Sequence, residues 1–214
     1  MKEKENFLKV LKTHRLPRKI MDTAASLDRK VFFDEVFADR VYTGEPVPTG
    51  HGQKSDEINT LARMLKILKP DKKWRLLEIG TGSGYSTALL SSVVREMVSV
   101  DYYEDIALKA KERVLINGFR NVKFYAGDFT EDFESAGLFD AVIVFAGCRN
   151  RPFNLLSALK PDGVMVFPMG LPHQQQIVKF DMPSDAPVSE DSLKNCSFHD
   201  LCYYDSIKGV YGWE

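Results

Sequence analysis

Three glycines at alternate positions mark the part of this sequence where chemistry is most to be expected. They lie in the segment Glu78-Ile79-Gly80-Thr81-Gly82-Ser83-Gly84. An apolar run that is typical of a buried strand precedes them. Because glycine has no Cβ, a backbone with alternate glycines can bend sharply and lie directly against a flat ligand. The turn after the first strand is also where an open α/β sheet binds its ligand. The spacing therefore predicts a ligand-binding loop.

The residues around the glycines narrow the choice of ligand. A dinucleotide site usually reads G-x-G-x-x-G, but position 85 is tyrosine, and a phosphate-binding loop needs a Gly-Lys-Ser/Thr ending that the segment lacks. Glu78, two residues before the first of these glycines, would repel a diphosphate. It suits a ligand with positive charge, such as the ammonium or sulfonium group of S-adenosylmethionine. We therefore predict that S-adenosylmethionine is the cofactor.

Acidic residues at the ends of the next two strands support this interpretation. Asp101 ends the second strand, 21 positions after Gly80, where a carboxylate can accept hydrogen bonds from both ribose hydroxyls. Asp128 ends the third strand, where a side chain can meet the adenine edge. Acids at strand ends can instead cap the following helices, but their succession together with the glycines favours a cofactor site. The predicted cofactor-binding residues are Glu78, Ile79, Gly80, Thr81, Gly82, Ser83, Gly84, Asp101, Tyr102, Gly127, Asp128 and Phe129.

Strands alternate with helices from Trp74 onward, which predicts a parallel sheet with helices on both faces. We predict strands over 74–80, 97–101, 122–128, 139–147 and 163–169, with weaker ones over 174–180 and 197–204. Helices are predicted over 4–14, 17–26, 83–94 and 153–159. Two further helices are expected, one capped by Ser55 or Asp56 and one ending at Asn117-Gly118. A turn is predicted at Lys160-Pro161-Asp162-Gly163.

The predicted fold class is α/β: a doubly wound, mostly parallel, seven-stranded sheet of the Rossmann-like methyltransferase type, with N-terminal helices. We expect one compact domain. Within it, residues 1–55 form a helical lead-in and substrate-side loop, and residues 56–214 form the cofactor-binding core.

Composition excludes several other classes of protein. The 214 residues are 44% hydrophobic and 28% charged, with a net charge of -1, so no global field favours nucleic acid or an acidic membrane. The basic N-terminal twenty residues are interpreted as the solvated face of a helix. No run approaches the ~20 apolar residues of a membrane span, and we see no signal peptide. Three unpatterned cysteines predict free thiols, no metal site and a cytoplasmic location.

The segment LLEIGTGSGY, with YTGEPVPTGHGQ upstream of it, resembles the protein-L-isoaspartate O-methyltransferase family. The resemblance covers about residues 28–180 and is most specific at Pro48-Thr49-Gly50-His51-Gly52-Gln53. It implies S-adenosylmethionine as methyl donor, isoaspartyl carboxylates of damaged proteins or peptides as acceptors, and Thr49, His51 and Gln53 on the substrate side. A membrane or nucleic-acid partner is not expected, and the chain is expected to be a monomer.

The sequence departs from the family pattern where the acceptor is expected. After Gly-His-Gly-Gln the family usually continues Thr-Ile-Ser, whereas this chain reads Lys54-Ser55-Asp56-Glu57. The family's serine, which helps to hold the substrate carboxylate, falls on Asp56, and Ser55 lies one position before it; these two are the predicted catalytic residues. Asp56 and Glu57 would repel a carboxylate unless a cation offsets them. Arg149 could supply that charge, or it could be a solvated loop arginine.

Three alternatives stay open at this point. Residues 54–58 are compatible with a methyltransferase of the same fold that acts on another carboxylate or a small molecule. A protein that binds the cofactor without turnover would carry the same loop. Cys148, at the end of the fourth strand, could be a cytosine-methylating nucleophile, but no proline precedes it and no activating partner is evident.

Overall fold

The computed structural model describes residues 2–127, 137–148, 152–171, 174–182 and 196–202, of which 153–154 and 196–202 are described by their backbone alone. The helices are α1 (Lys2–Thr13), α2 (Arg18–Ser26), α3 (Ile58–Leu68), α4 (Tyr85–Ser91), α5 (Glu104–Ile116) and α6 (Phe153–Leu156), with 3₁₀ turns at Arg29–Phe32 and Glu35–Phe37. The strands are β1 (Pro48–Gly50), β2 (Gln53–Lys54), β3 (Arg75–Ile79), β4 (Glu96–Asp101), β5 (Val122–Ala126), β6 (Phe139–Val144), β7 (Leu159–Met169), β8 (Gln175–Asp181) and β9 (Cys196–Cys202).

Seven of these strands form one sheet in the order β5-β4-β3-β6-β7-β8-β9. The first five are parallel, β8 is antiparallel to β7, and β9 is antiparallel to β8. The chain runs from β3 outward to β5 and then returns to the other side of β3, so the winding reverses between β3 and β6. A crevice opens at the carboxyl ends of the strands at such a reversal. The predicted α/β, doubly wound fold is confirmed.

Apolar side chains cover both faces of the sheet. Leu76 and Ile143 belong to a buried cluster that also contains Leu11 of α1. Leu77 and Val142, which point to the opposite face, belong to a second buried cluster. The N-terminal helices therefore pack against the sheet as part of its core. In the described ranges, none of the helices is long and apolar enough to cross a membrane.

Two predicted elements differ from the observed ones. The predicted turn at 160–163 lies inside β7, where Phe139 pairs with Leu159 but Ala141 pairs with Val164. The extra residues form a bulge around Asp162, whose φ of 61° is in the left-handed region. The helix predicted over 83–94 is shorter, since α4 ends at Ser91. The hydroxyls of Ser91 and Ser92 donate to carbonyls three residues back, a competition that weakens helix continuation.

The shared core predicts that α1 contributes to the stability of the whole chain. We expect Leu11→Ala, at a fully buried position, to lower the free energy of unfolding by about 2–5 kcal/mol, through lost burial and a residual cavity. Leu108→Ala, on the exposed face of α5 and 56% exposed, should change it by less than about 0.5 kcal/mol. Urea unfolding of both variants measures the difference. Equal stabilities would show that α1 does not pack as described.

Candidate functional site

The glycine loop starts where β3 ends, at the reversal of the sheet. The Gly80 N–H donates to the Val100 carbonyl at 2.8 Å, and a Cβ on Gly80 would lie 2.9 Å from the Phe145 carbonyl oxygen. Gly80 is therefore required for packing between two strands. At Gly82, by contrast, a Cβ would meet no atom of the described chain within 4 Å. Gly82 thus borders open space, as expected for a backbone that lies against a ligand.

Asp101, the last residue of β4, is fixed beside this open space. Its Oδ2 accepts a hydrogen bond from the Gly82 N–H at 2.9 Å, and its Oδ1 accepts one from the Tyr103 N–H at 3.2 Å. Burial raises the pKa of this carboxyl, while the two backbone N–H groups oppose the shift. The carboxylate is therefore placed at the loop by two backbone hydrogen bonds. Its position is set before any ligand is bound.

A cleft separates the glycine loop from the segment that contains β1 and β2, and the space within it, open solvent included, is about 620 Å³. Its walls are formed by the loop, the start of α5, the segment 49–56 and parts of the N-terminal lead-in. The lining residues are Arg29, Thr49, Gln53, Lys54, Ser55, Asp56, Leu61, Gly80, Thr81, Gly82, Ser83, Tyr85, Ser86, Asp101, Tyr103, Ile106 and Phe145.

The cleft brings together nine of the fifteen described residues that the sequence singled out. On the loop side these are Gly80, Thr81, Gly82, Ser83 and Asp101, and on the opposite side Thr49, Gln53, Ser55 and Asp56. Among the described residues, the remaining candidates that do not line it are Glu78, Ile79, Gly84, Tyr102, Gly127 and His51. Asp128, Phe129 and Arg149 lie outside the described residues.

From the sequence we expected Glu78 to face the ligand. It lies instead beneath the glycine loop, away from the cleft. Its side chain is fully buried and accepts hydrogen bonds from Ser86 at 2.8 Å, Thr87 at 2.5 Å and Ser99 at 2.6 Å. Burial raises the pKa of Glu78 to about 7, although the three hydroxyls lower it in part. The carboxyl group therefore supports the loop from inside the fold. Glu78 therefore has a structural role, and not the direct attraction to a cationic ligand that we expected.

His51 likewise does not line the cleft, but its contacts hold one wall of the cleft in place. At the tip of the β1–β2 hairpin, its Nε2 lies 2.8 Å from the Asp105 Oδ1. The imidazole stacks on the Tyr103 ring, with centroids 4.1 Å apart and planes 5° from parallel. Tyr103 itself lines the cleft. His51 thus holds the substrate-side hairpin against the start of α5, next to Asp101.

The acidic residues after the hairpin have different surroundings. Glu57 is turned toward α3, where its carboxylate accepts hydrogen bonds from Asn59 at 2.6 Å and Thr60 at 3.1 Å. Asp56 lines the cleft. The hydroxyl of Ser55 accepts a hydrogen bond from the Val47 N–H at 3.1 Å. Of the two acids expected to oppose an acceptor carboxylate, only Asp56 is at the cleft.

Arg29 is the main residue of the site that sequence reasoning missed. It is only 2% exposed, and its guanidinium carbon lies 5.0, 4.9 and 5.2 Å from the ring centroids of Phe7, Phe33 and Tyr85. Burial lowers the pKa of Arg29, and the charge of Asp56 is among the influences that raise it. Since arginine stays protonated in proteins, a fixed positive charge lies at the cleft that Asp56 also lines. In the sequence Arg29 stands between Asp28 and Lys30, so nothing there distinguishes it from a solvated surface arginine.

Cys148 does not have the environment of a nucleophile. Its side chain is fully buried, it is not among the residues that line the cleft, and burial alone raises its pKa far above the usual range. A thiol must ionise to attack. The cytosine-methylating alternative is therefore contradicted. The described residues contain no group of three or more metal-ligating side chains.

The buried carboxyl of Glu78 predicts an unusual dependence of stability on pH. The pKa of Glu78 is about 7 in the folded chain against an ordinary value of 4.5, so between these values the folded state holds a proton that the unfolded state releases. The contribution of Glu78 to stability then falls as the pH rises from about 4.5 to 7, by up to about 3 kcal/mol. Glu78→Gln, which cannot titrate, should remove this part of the pH dependence.

Urea unfolding at pH 5 and pH 7 measures the effect. The matched control is Glu112→Gln, at an exposed position of α5, which should keep the pH dependence of the unsubstituted chain. If Glu78→Gln and Glu112→Gln lose equal stability between the two pH values, Glu78 is not the titrating group.

Comparison with known proteins agrees with this geometry. The family model described as "Protein-L-isoaspartate(D-aspartate) O-methyltransferase (PCMT)" matches residues 2–204. The protein-L-isoaspartate O-methyltransferase of Syntrophus aciditrophicus is 32% identical over 197 residues, which are 91% of this chain and 88% of the relative. That of Myxococcus xanthus is 38% identical over 152 residues, covering 71% of this chain and 72% of the relative.

Solved structures show the same fold. A protein-L-isoaspartate O-methyltransferase aligns with a TM-score of 0.78 at 22% identity, covering 97% of this chain and 67% of the other. A putative protein-L-isoaspartate O-methyltransferase from Plasmodium falciparum, in complex with S-adenosyl-L-homocysteine, aligns with a TM-score of 0.76 at 19% identity, covering 95% and 97%. Given the family match over nearly the whole chain and the cleft between the glycine loop and residues 49–56, this chain belongs to the protein-L-isoaspartate O-methyltransferase family.

Proposed function

We propose that this chain transfers a methyl group from S-adenosylmethionine to the free α-carboxylate of isoaspartyl residues in damaged proteins. The observation that carries the proposal is that one cleft is lined both by the glycine loop with Asp101 and by the segment 49–56. The first set suits the cofactor, and the second contains the residues most specific to the family. A methyl donor and an acceptor could therefore meet there.

The described residues fit S-adenosylmethionine. The space beside Gly82 admits a ligand against the backbone, and Asp101 is held where its free lone pairs can accept hydrogen bonds from ribose hydroxyls. Tyr103 and Ile106 supply apolar surface on the same side of the cleft. Gly127, whose N–H donates to the Asp101 carbonyl at 3.0 Å, starts the segment that we propose meets the adenine, with Asp128 and Phe129 following it.

The reaction asks little acid–base chemistry of the chain. When bound, the cofactor supplies a methyl group on a positively charged sulfur, which is already a strong electrophile. A carboxylate is already ionised at neutral pH, so no general base is needed. What the chain must do is hold the carboxylate in line with the methyl group, at roughly 3–3.5 Å, and exclude water. Gly82 and Asp101 would fix one partner, and residues 49–56 the other.

Asp56 favours a second candidate function, in which the acceptor is neutral or cationic. Its carboxylate lines the acceptor side of the cleft, and like charges at 4 Å with an effective dielectric of 20 cost about 4 kcal/mol before screening. The nearby charge of Arg29 offsets part of this repulsion. We therefore keep the isoaspartyl acceptor as the main proposal. The cytoplasmic location and the monomeric state stay predictions.

The proposed cofactor site can be tested by a single isosteric change. Asp101→Asn should weaken the binding of S-adenosylhomocysteine by roughly 1–3 kcal/mol, because charge-assisted hydrogen bonds to the ribose are lost. The control Asp22→Asn, on the surface of α2, should bind normally. Titration calorimetry gives both dissociation constants. Unchanged binding in Asp101→Asn would remove Asp101 from the cofactor site.

The proposed acceptor can be tested at Asp56. We expect the chain to methylate an isoaspartyl peptide, and Asp56→Ser to lower the KM for it by about tenfold or more, since a like charge is removed. The same change should lower stability, because Arg29 loses a nearby compensating charge. Initial rates at saturating cofactor and urea unfolding measure the two effects.

Three other outcomes of the rate measurement would contradict the isoaspartyl proposal or its charge argument. Cofactor binding with no turnover on the peptide would point to another acceptor or to a binding protein. A KM that rises in Asp56→Ser would mean that the acid attracts the acceptor, as the second candidate function requires. An unchanged KM would mean that Asp56 does not face the acceptor carboxylate.

A further inference from the structure

Two buried polar atoms at the cleft have no hydrogen-bond partner in the part of the chain that the structure describes. They are the Nε of Arg29 and the Oγ1 of Thr49, and both residues line the cleft. A buried donor without a partner costs a folded protein roughly 1–3 kcal/mol, so such groups are rare and call for an explanation. Their position in one cleft indicates that a bound ligand completes their hydrogen bonds.

The guanidinium of Arg29 is held in one orientation by the fold. Its Nη1 donates to the Val41 carbonyl, and the rings of Phe7, Phe33 and Tyr85 surround it. The backbone N–H of Arg29 donates to the Tyr42 hydroxyl at 2.7 Å. A cation confined in this way loses little conformational freedom when a ligand binds, which favours affinity. Nε is therefore a pre-oriented donor.

The location of Arg29 relates it to both expected ligands. Tyr85, against which the guanidinium packs, is the first residue of α4 and follows the glycine loop directly. Asp56, whose charge acts on Arg29, lies in the segment expected to hold the acceptor. The cation thus lies between the cofactor side and the acceptor side of the cleft.

We propose that Arg29 and Thr49 form a carboxylate-binding site in this cleft, an inference that rests on the proposed function. Their N–H and O–H groups supply two donors for the two oxygens of one carboxylate, and the hydrogen bond from arginine is charge-assisted. A single negative charge matches the site better than a phosphate dianion, because Asp56 and Asp101 line the same cleft. Two ligands of the reaction carry such a group: the isoaspartyl residue of the acceptor, through its free α-carboxylate, and the amino-acid end of the cofactor.

Binding measurements with two variants test the proposal without relying on turnover. Thr49→Val keeps the shape of the side chain and removes the hydroxyl, and Arg29→Lys keeps the charge and removes the Nε donor. Thr43→Val, at an exposed position of the lead-in, is the control. Calorimetry gives the affinity of each for S-adenosylhomocysteine and, in its presence, for an isoaspartyl peptide. The same peptide with the free isoaspartyl carboxylate replaced by an amide shows whether the carboxylate is recognised.

We expect Thr49→Val and Arg29→Lys each to lower the affinity for one of the two ligands by about ten- to a hundredfold. Thr43→Val should bind both ligands with normal affinity. If affinity is lost for the isoaspartyl peptide alone, and not for its amide, the acceptor carboxylate lies at Arg29 and Thr49. A loss confined to S-adenosylhomocysteine places the cofactor carboxylate there. If Thr49→Val binds both ligands as tightly as the unsubstituted chain, the proposal is overturned, whether or not Arg29→Lys folds.

Turnover separates this proposal from the proposed function. If the unsubstituted chain does not methylate the isoaspartyl peptide but Thr49→Val weakens S-adenosylhomocysteine, the carboxylate site stands and the isoaspartyl acceptor falls. If the chain methylates the peptide and the two variants keep both affinities, the function stands and the carboxylate site falls.

Discussion

The buried carboxyl group of Glu78 is the interaction on which the rest of the site depends. It lies at the end of β3 and binds hydroxyls of Ser86 and Thr87 on α4 and of Ser99 on β4. The glycine loop runs between these three elements, so its ends are fixed by a polar cluster that water does not reach. Because buried polar groups must be satisfied, such a cluster specifies one arrangement of the elements around it. The open space at Gly82 and the position of Asp101 follow from that arrangement.

The cleft next to this cluster is lined by charges of both signs. Asp101 at the loop and Asp56 on the opposite wall are negative, and Arg29 between the aromatic rings is positive. A cofactor with both a sulfonium and an amino-acid group, and an acceptor with a carboxylate, together present charges of both signs. The arrangement also explains how the family reaction is compatible with an acid at position 56, since an arginine that is fixed and desolvated acts more strongly than one in water.

Local sequence patterns predicted what depends on local conformation. The glycine spacing located the loop, the acidic residue that ends the second predicted strand located Asp101, and the alternation of strands and helices predicted the sheet and its winding. What depends on tertiary packing was not predictable in this way. Glu78 was assigned to the ligand because the sequence does not show that hydroxyls of α4 and β4 converge on it. Arg29 was overlooked because two of the three rings around it, those of Phe7 and Tyr85, come from other helices. The β7 bulge was overlooked because its residues resemble an ordinary turn.

The most direct test is to identify the atom that receives the methyl group. A peptide with one isoaspartyl and one ordinary aspartyl residue can be incubated with the chain and S-adenosylmethionine, and the ester located by fragment mass spectrometry. The geometry and the family predict a methyl ester on the free carboxylate of the isoaspartyl residue alone, since alignment of one carboxylate with the methyl group provides the rate. A methyl ester on the aspartyl residue, or a peptide left unmodified while the cofactor binds, would contradict the account.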